Sequence, residues 1–251
     1  MNERLLLIDV GNTNTDFGLA TARRILRTVT VPTSTLSRVR LPFRNEKLDG
    51  IVLASVVPVV TRKLRRWLPR KPIIVGAKIN LGIGLPHRNR RQIGADRLAN
   101  AVAVAELYGT PAIVVDFGTA VTFDVVKPST SLRSGARGEY VGGVIAPGLA
   151  AVTDYLYQRT ALLPRIKIVE PRSIIGKSTV AAMRVGAVIG YRGLVKAILH
   201  ALRRERGLRN AVVVATGGYA HLMAKGISEI DYVNPILTLE GLRLLAVRNF
   251  M

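Results

Sequence analysis

An apolar strand that runs into an aspartate and then a glycine turn occurs twice in this chain, close to half its length apart. Leu5-Leu6-Leu7-Ile8-Asp9-Val10-Gly11-Asn12-Thr13-Asn14-Thr15 is echoed by Ala112-Ile113-Val114-Val115-Asp116-Phe117-Gly118-Thr119-Ala120-Val121-Thr122. A repeat at that spacing predicts a duplicated domain with one phosphate-facing hairpin in each half. It points to a nucleotide clamped between two lobes.

The chemistry of such a hairpin is local. Gly11 and Gly118 remove the side chain where the backbone must turn and approach a ligand, so that the amides of Asn12 and Thr13, or of Thr119 and Ala120, can face anionic oxygens. Asp9 and Asp116 end apolar strands, where an unpaired carboxylate is costly, so each is expected to face a cation or a set of donors. A satisfied aspartate in a plain hairpin explains either copy taken alone, whereas two copies in matching positions favour the phosphate clamp.

Composition sets the outer limits. The 251 residues, 49% of them hydrophobic, suffice for two modest domains with real cores. Apolar runs such as 211–215 and 113–115 are too short to span a bilayer, and the N-terminus enters a strand with no signal-peptide pattern, so a cytoplasmic protein with no membrane partner is expected. The absence of cysteine excludes disulfides, thiolate catalysis and cysteine metal sites, and His87, His200 and His221 make no metal-ligand spacing. Charge is the unusual feature: 37 Lys and Arg against 16 Asp and Glu give a net charge of +21, a field that attracts polyanions. Aromatic residues make up only 5% and do not interleave with the basic clusters, which argues against a dedicated nucleic-acid surface.

Hydrophobic periodicity alternates strand and helix along the whole chain. Strands are expected at 5–10, 17–20, 25–31, 50–55, 73–75, 113–116, 122–126, 140–145 and 211–216, and helices at 61–67, 96–108, 148–160, 179–206 and 239–248. Gly109-Thr110-Pro111 interrupts the pattern, which places one domain over 1–109 and a second over 110–251. The segment 128–138, rich in Ser, Arg and Gly, reads as an exposed hairpin loop.

Further motifs sit on this scaffold. Gly94-Ala95-Asp96-Arg97 precedes an apolar helix, where Asp96 serves either as an N-cap or as a reactive carboxylate. Gly142-Gly143-Val144-Ile145-Ala146-Pro147-Gly148 and Thr216-Gly217-Gly218 are strand-to-helix turns that let backbone approach a ligand. Gly176-Lys177-Ser178-Thr179 ends like a Walker loop, but Pro171 stands where that loop needs its first glycine.

Taken in order, Asp9-Val10-Gly11-Asn12-Thr13, Ala54-Ser55-Val56-Val57-Pro58, Gly94-Ala95-Asp96-Arg97, Asp116-Phe117-Gly118-Thr119-Ala120, Gly142 to Gly148, Leu162-Leu163-Pro164, Gly176-Lys177-Ser178-Thr179 and Leu239-Glu240-Gly241-Leu242 resemble the type III pantothenate kinases over nearly the whole chain. That resemblance implies an α/β fold of duplicated ribonuclease-H-like, actin-like ATPase domains, with mixed sheets flanked by helices. It implies a homodimer that phosphorylates pantothenate with ATP, the first step of coenzyme A synthesis, and cofactors Mg²⁺ and K⁺ or NH₄⁺. By the same resemblance Asp9, Val10, Gly11, Asn12, Thr13, Asn14, Thr15 and Asp16 form the ATP phosphate loop, with Thr119 a second phosphate contact and Asp116 the holder of the monovalent cation. Gly94, Ala95, Asp96 and Arg97 line the pantothenate site, with Asp96 as general base, and Thr179 reaches that site from the partner subunit. Arg97 offers a planar fork for the pantothenate carboxylate, or orders Asp96 by pairing with it.

The chain departs from the family in places. Where the family carries a tyrosine and then Asn-Pro ahead of Gly-Ala-Asp-Arg, this chain reads Pro86-His87-Arg88-Asn89-Arg90-Arg91-Gln92-Ile93, which puts His87 in the tyrosine's place beside the substrate. Asp16 would repel phosphate unless it is turned away or sits on Mg²⁺. Two other readings stay open: a kinase of the same fold acting on another small hydroxy acid, and a non-catalytic binder of nucleotide or nucleic acid.

Overall fold

Leu5–Val10 (β1) is the central strand of a five-stranded sheet, because its residues are apolar on both faces and its edges are paired on both sides. Asn14–Ala20 (β2) runs antiparallel to it, with Asp9 opposite Asp16, and Gly50–Ser55 (β4) runs parallel on the other edge, with Asp9 opposite Ala54. Ile25–Pro32 (β3) and Ile73–Ile74 (β5) complete the order β3-β2-β1-β4-β5. The structure is a computed structural model and describes residues 3–38, 40–85, 90–129 and 136–250. Within the loop expected at 128–138, residues 130–135 lie outside the described ones.

Alternation along β1 sorts its side chains between two layers. Leu6, Ile8 and Val10 meet Phe17, Leu19, Ile51, Leu53 and Leu64, the last carried by the helix Pro58–Trp67 (α1). Leu237–Phe250 (α7) packs on β1 and β4, and Ala95–Leu107 (α2) packs against α7. The α2–α7 contact is close because of Gly241: a Cβ there would stand 2.0 Å from the Ala99 carbonyl oxygen. Thr238 Oγ1 donates to Oδ1 of the fully buried Asn100 at 2.8 Å across the same contact.

The second sheet contains Ala112–Phe117 (β6), Ala120–Lys127 (β7), Glu139–Pro147 (β8), Val212–Thr216 (β9) and Tyr232–Val233 (β10), in the order β10-β9-β6-β7-β8. Read from β8, this is the order of the first sheet, with β6 in the place of β1 and parallel to β9. Two mixed sheets with helices on their faces are the α/β architecture that the sequence predicts.

By packing the chain forms two compact units, Met1–Thr110 with Val126–Gly142 and Ile236–Met251, and Pro111–Val125 with Gly143–Pro235. The C-terminal helix α7 thereby belongs to the first unit although it follows the second repeat in sequence. The core of the second unit joins Ile113, Val115 and Phe117 of β6 to Val213 and Ala215 of β9, and to Val188, Val195 and Leu199.

Those last residues belong to a helical run that the sequence predicts as one helix over 179–206. The structure divides it into Thr179–Val185 (α4), a π-helical turn Gly186–Gly190 and Tyr191–Arg204 (α5). Glycines at both ends of the turn ease the wider winding. The run Thr179–Arg204 is long and apolar enough to cross a membrane, but Met183, Val188, Tyr191, Val195 and Leu199 are buried in the unit, so packing accounts for part of its apolar character. Leu149–Arg159 (α3) lies within the helix expected at 148–160, whereas Ala220–Ala224 (α6), the two-residue β10 and the 3₁₀ turn Thr33–Arg38 are too short to leave a periodic signal.

Replacing Gly241 by alanine is expected to force α2 and α7 apart and lower stability by about 2–3 kcal/mol, measured as a shift in the urea midpoint at constant m-value.

Candidate active site

In the first unit the hairpin Val10–Asn14 is closed by the Gly11 N–H, which donates to the Asn14 carbonyl at 2.9 Å. A Cβ on Gly11 would come within 3.0 Å of that same oxygen. Thr33, the first residue of the 3₁₀ turn, braces the hairpin from behind. Its Oγ1 donates to the Gly11 carbonyl at 2.8 Å, its N–H donates to the Thr13 carbonyl at 2.9 Å, and its hydroxyl meets the Thr15 hydroxyl at 3.0 Å. These bonds engage two of the carbonyl oxygens that would otherwise repel an anion, while Asn12, Thr13 and Asn14 remain exposed. The turn is thus held from behind, with its outer face open to solvent.

The other members of the expected phosphate loop divide by burial. Val10 and Thr15 are fully buried, so they shape the hairpin through its backbone and the Thr33 contact. Asp9 is half-buried at the carboxyl end of β1. Asp16 lies opposite Thr30 of β3 and accepts a short hydrogen bond from its hydroxyl, which ties one carboxylate oxygen to the sheet.

The start of α2 explains why glycine precedes the third aspartate. The helix is capped by Gly94, and Asp96 is its second residue, so the N-cap role open to Asp96 in the sequence falls to Gly94 instead. The Asp96 carboxylate folds back: Oδ1 accepts the Arg97 N–H at 2.8 Å, and a Cβ on residue 94 would stand 2.4 Å from that oxygen. A side chain at residue 94 would require the carboxylate to shift. Arg97, half-buried, places its guanidinium 5.9 Å from the centre of the Tyr140 ring. The same stretch of β8 is tied to the segment that leads toward His87, since the Gly84 N–H donates to the Gly138 carbonyl at 2.8 Å and the Tyr140 N–H to the Gly84 carbonyl at 2.9 Å. His87 itself lies outside the described residues.

In the second unit Gly118 and Thr119 connect β6 to β7, with Asp116 half-buried and Thr119 exposed. Two glycines distant in sequence converge on this turn. A Cβ on Gly217 would meet Asp116 Oδ1 at 2.5 Å and the Phe117 backbone at 2.8 Å, and φ of +88° separately favours glycine there. A Cβ on Gly148, the N-cap of α3, would meet the Thr119 carbonyl oxygen at 2.1 Å. The turn is therefore lined by backbone, with the α3 N-terminus beside it.

Tyr191 of α5 fixes that arrangement from below by donating its hydroxyl to the Pro147 carbonyl at 2.9 Å, one residue before Gly148. Burial pushes the phenol up to about 12. Thr33 and Tyr191 carry no motif of their own, and the Thr216-Gly217-Gly218 motif does not by itself name Asp116 as its neighbour. The repeated hairpins are the sequence signal that locates them, by asking what braces each turn.

Thr179 is exposed at the start of α4, whose N-cap Ser178 accepts the Ala181 N–H at 3.2 Å. The coil before it is anchored by Arg192, which makes two bonds of 2.8 and 2.7 Å to the Glu170 carboxylate and a third to the Leu222 carbonyl. The Arg192 hydrogen bonds hold the Glu170 carboxyl below its usual range. Asp9 and Asp96 thus belong to the first unit, and Asp116, Thr119 and Thr179 to the second. Among the described residues no three His, Asp or Glu side chains form a metal-ligating group.

Comparison with known proteins gives this geometry a family. The profile of the type III pantothenate kinases matches residues 5–201. A type III pantothenate kinase of Akkermansia muciniphila is 50% identical over 247 residues, covering 97% of this chain and 98% of that protein. One of Moorella thermoacetica is 42% identical over 261 aligned positions, covering 98% and 99%. Among solved structures, a Baf family transcriptional activator from Campylobacter jejuni shares the fold at a TM-score of 0.62 with 19% identity, covering 96% of each chain. A ROK hexokinase from Thermus thermophilus does so at 0.50 with 15% identity, covering 96% and 98%.

Tyr191→Phe is expected to lower stability by about 1 kcal/mol at neutral pH through loss of the bond to Pro147. Because the folded pKa lies above the unfolded value near 10, the buried phenol's contribution is complete below pH 10 and is lost as pH rises from there toward 12. Denaturation series at pH 9 and pH 11.5 should show that extra loss in the wild type and not in the phenylalanine variant.

Proposed function

We propose, from the premise that this chain belongs to the type III pantothenate kinase family, that it transfers the γ-phosphoryl group of ATP to the primary hydroxyl of pantothenate, giving 4′-phosphopantothenate and ADP. This is the first step of coenzyme A synthesis. The observation that carries the reading at residue level is the Asp96 carboxylate, held at the α2 start by the Arg97 N–H and folded over Gly94.

In this mechanism the pantothenate hydroxyl gives its proton to Asp96 as its oxygen attacks the γ-phosphorus, and the bond from phosphorus to the β,γ-bridging oxygen breaks in line to release ADP. A carboxylate that accepts one backbone N–H keeps acceptor capacity for that proton. The guanidinium of Arg97, backed by the Tyr140 ring, offers its planar fork to the pantothenate carboxylate and so orients the hydroxyl. Amides of the two hairpins take up phosphate oxygens, with Thr119 as the second phosphate contact, and rigid bracing by Thr33 and Tyr191 means little reorganisation as charge moves.

Asp9 and Asp116, at the ends of the two central strands, are the carboxylates suited to hard cations, Asp116 to K⁺ or NH₄⁺. Bound with ATP, Mg²⁺ would supply charge neutralisation to the phosphate oxygens. With no cluster of three protein ligands among the described residues, phosphate, backbone and water oxygens would complete each coordination shell. Asp16, tied to Thr30, contributes by shaping β2. Pantothenate would also meet Gly94, Ala95 and His87.

A homodimer fits the exposed apolar residues of the second unit. Ile145 of β8, Tyr155 of α3, and Leu162, Ile174 and Ile175 of the coil are all largely exposed, Leu162 to 89%. Covering that surface with a second copy would let the exposed Thr179 enter the partner's pantothenate site. The enzyme works in the cytoplasm in this reading, and its basic surface requires no nucleic acid.

A phosphorylation assay with pantothenate, ATP and Mg²⁺, run with and without K⁺ or NH₄⁺, tests the proposal; absence of turnover under all conditions overturns it. Asp96→Asn should retain the fold and ATP binding while turnover falls by about 10²–10⁴-fold. Asp116→Asn should chiefly weaken the dependence on the monovalent cation.

A further inference from the structure

The end of the first sheet opposite the phosphate hairpin gathers positive charge around a cavity of about 480 Å³, lined by Arg4, Thr21, Arg23, Arg24 and Leu26. Arg4 leads into β1, and Thr21–Arg24 is the turn between β2 and β3, so these residues lie a strand's length from Asp9.

The turn is rigid. The Thr21 N–H donates to the Arg24 carbonyl at 2.9 Å, and the Arg23 and Arg24 N–H groups donate to Thr21 Oγ1 at 3.3 Å. From beneath, the buried Arg243 donates Nη1 to the Ala22 carbonyl at 2.6 Å while its Nε donates to Glu240 at 2.6 Å. Arg243 thus spends its charge on the fold. The three arginines of the cavity do not. Among the described residues, no ion pair or side-chain hydrogen bond engages the guanidinium of Arg4, Arg23 or Arg24. The carboxylate beside this wall, Asp49, accepts the Arg4 backbone N–H at 2.8 Å.

Like charges gathered on one rim repel, and an anion between them converts that repulsion into attraction. The cavity has the size of a small-molecule site, and Leu26 gives it one apolar wall. Among the described residues no aromatic ring lines it, and a single-stranded nucleic acid would need such a stacking platform.

We propose that this cavity binds a small phosphorylated metabolite, whose phosphate oxygens accept from the guanidinium groups of Arg4, Arg23 and Arg24 and from no residue of the catalytic reading. Fork-shaped donors suit phosphate oxygens geometrically as well as by charge. The proposal stands whether or not pantothenate is the substrate, because it uses only the β2–β3 turn and the entry to β1.

Calorimetric titration of the full chain with pyrophosphate at low ionic strength tests it. Arg23→Gln combined with Arg24→Gln should weaken binding at the cavity by about tenfold or more, given the strength of charge-assisted bonds. Arg62→Gln combined with Arg66→Gln, an equal loss of charge on the exposed face of α1, should change it by less than about twofold, a screened long-range effect. Equal weakening by both pairs would mean diffuse attraction to a basic surface and would overturn the proposal, as would no weakening by Arg23→Gln with Arg24→Gln. Parallel titrations with ADP and with 4′-phosphopantothenate distinguish a nucleotide from a phosphate monoester as the natural source: the ligand whose affinity falls in the Arg23, Arg24 variant is the one bound here. Unchanged affinity for both would sink the metabolite assignment.

Discussion

Burial of the central strand on both faces is the constraint from which the site follows. β1 has β2 and β4 on its edges, an apolar core on one face and α7 on the other, and β6 is paired with β7 and β9 above its own core. A polar side chain inside either strand would be left without water or partners. Each strand therefore stays apolar until it reaches the rim, and there Asp9 and Asp116 stand half-buried. Partial burial reduces the water around a carboxylate while leaving it within reach of a bound cation, the condition under which a single acid can influence phosphate chemistry.

What surrounds those acids is defined largely by side chains that are absent. Gly94 makes room for Asp96, Gly217 for Asp116, and Gly148 for the Thr119 carbonyl. In each case a methyl group would crowd the atom named, so each turn is contoured closely by backbone. Peptide donors fixed by a fold do not change rotamer when charge develops, which is the property electrostatic catalysis requires. The bracing residues serve the same end. Thr33 spends a hydroxyl and an amide on two carbonyls of the first turn, and Tyr191 spends its hydroxyl on the carbonyl that precedes Gly148.

The sequence made the acids and glycines legible because they recur. Asp9 with Gly11 and Asp116 with Gly118 repeat at corresponding places, and the central strands that carry them are long enough to show continuous hydrophobicity. It could not disclose Thr33, Tyr191 or the pairing of Gly217 with Asp116, since each acts through a contact between residues far apart in the chain. Nor does local pattern reveal that α7 returns to the first unit: its packing on α2 depends on Gly241 meeting Ala99. The Asp96 ambiguity had a similar origin. An aspartate near a helix start looks like a cap until the backbone shows that Gly94 occupies the cap and the carboxylate folds over it.

The distribution of the few acidic residues gives the large positive charge a physical role. Glu46, Glu106, Glu170 and Glu240 are committed to arginines, with Glu106 serving both Arg137 and Arg248. Those pairs neutralise only a fraction of the 37 basic residues, and the remainder give the molecule a field favourable to anions. ATP and pantothenate are both anionic, so carboxylates such as Asp9 and Asp96 of the first unit would by themselves repel them. An arginine-rich exterior offsets that repulsion at long range, while at short range the Asp96 carboxylate is held by the Arg97 N–H beside Gly94. Ionic strength should therefore act mainly on substrate capture and much less on the step after binding, because screening reaches the exterior field before it reaches contacts inside a partly dry site.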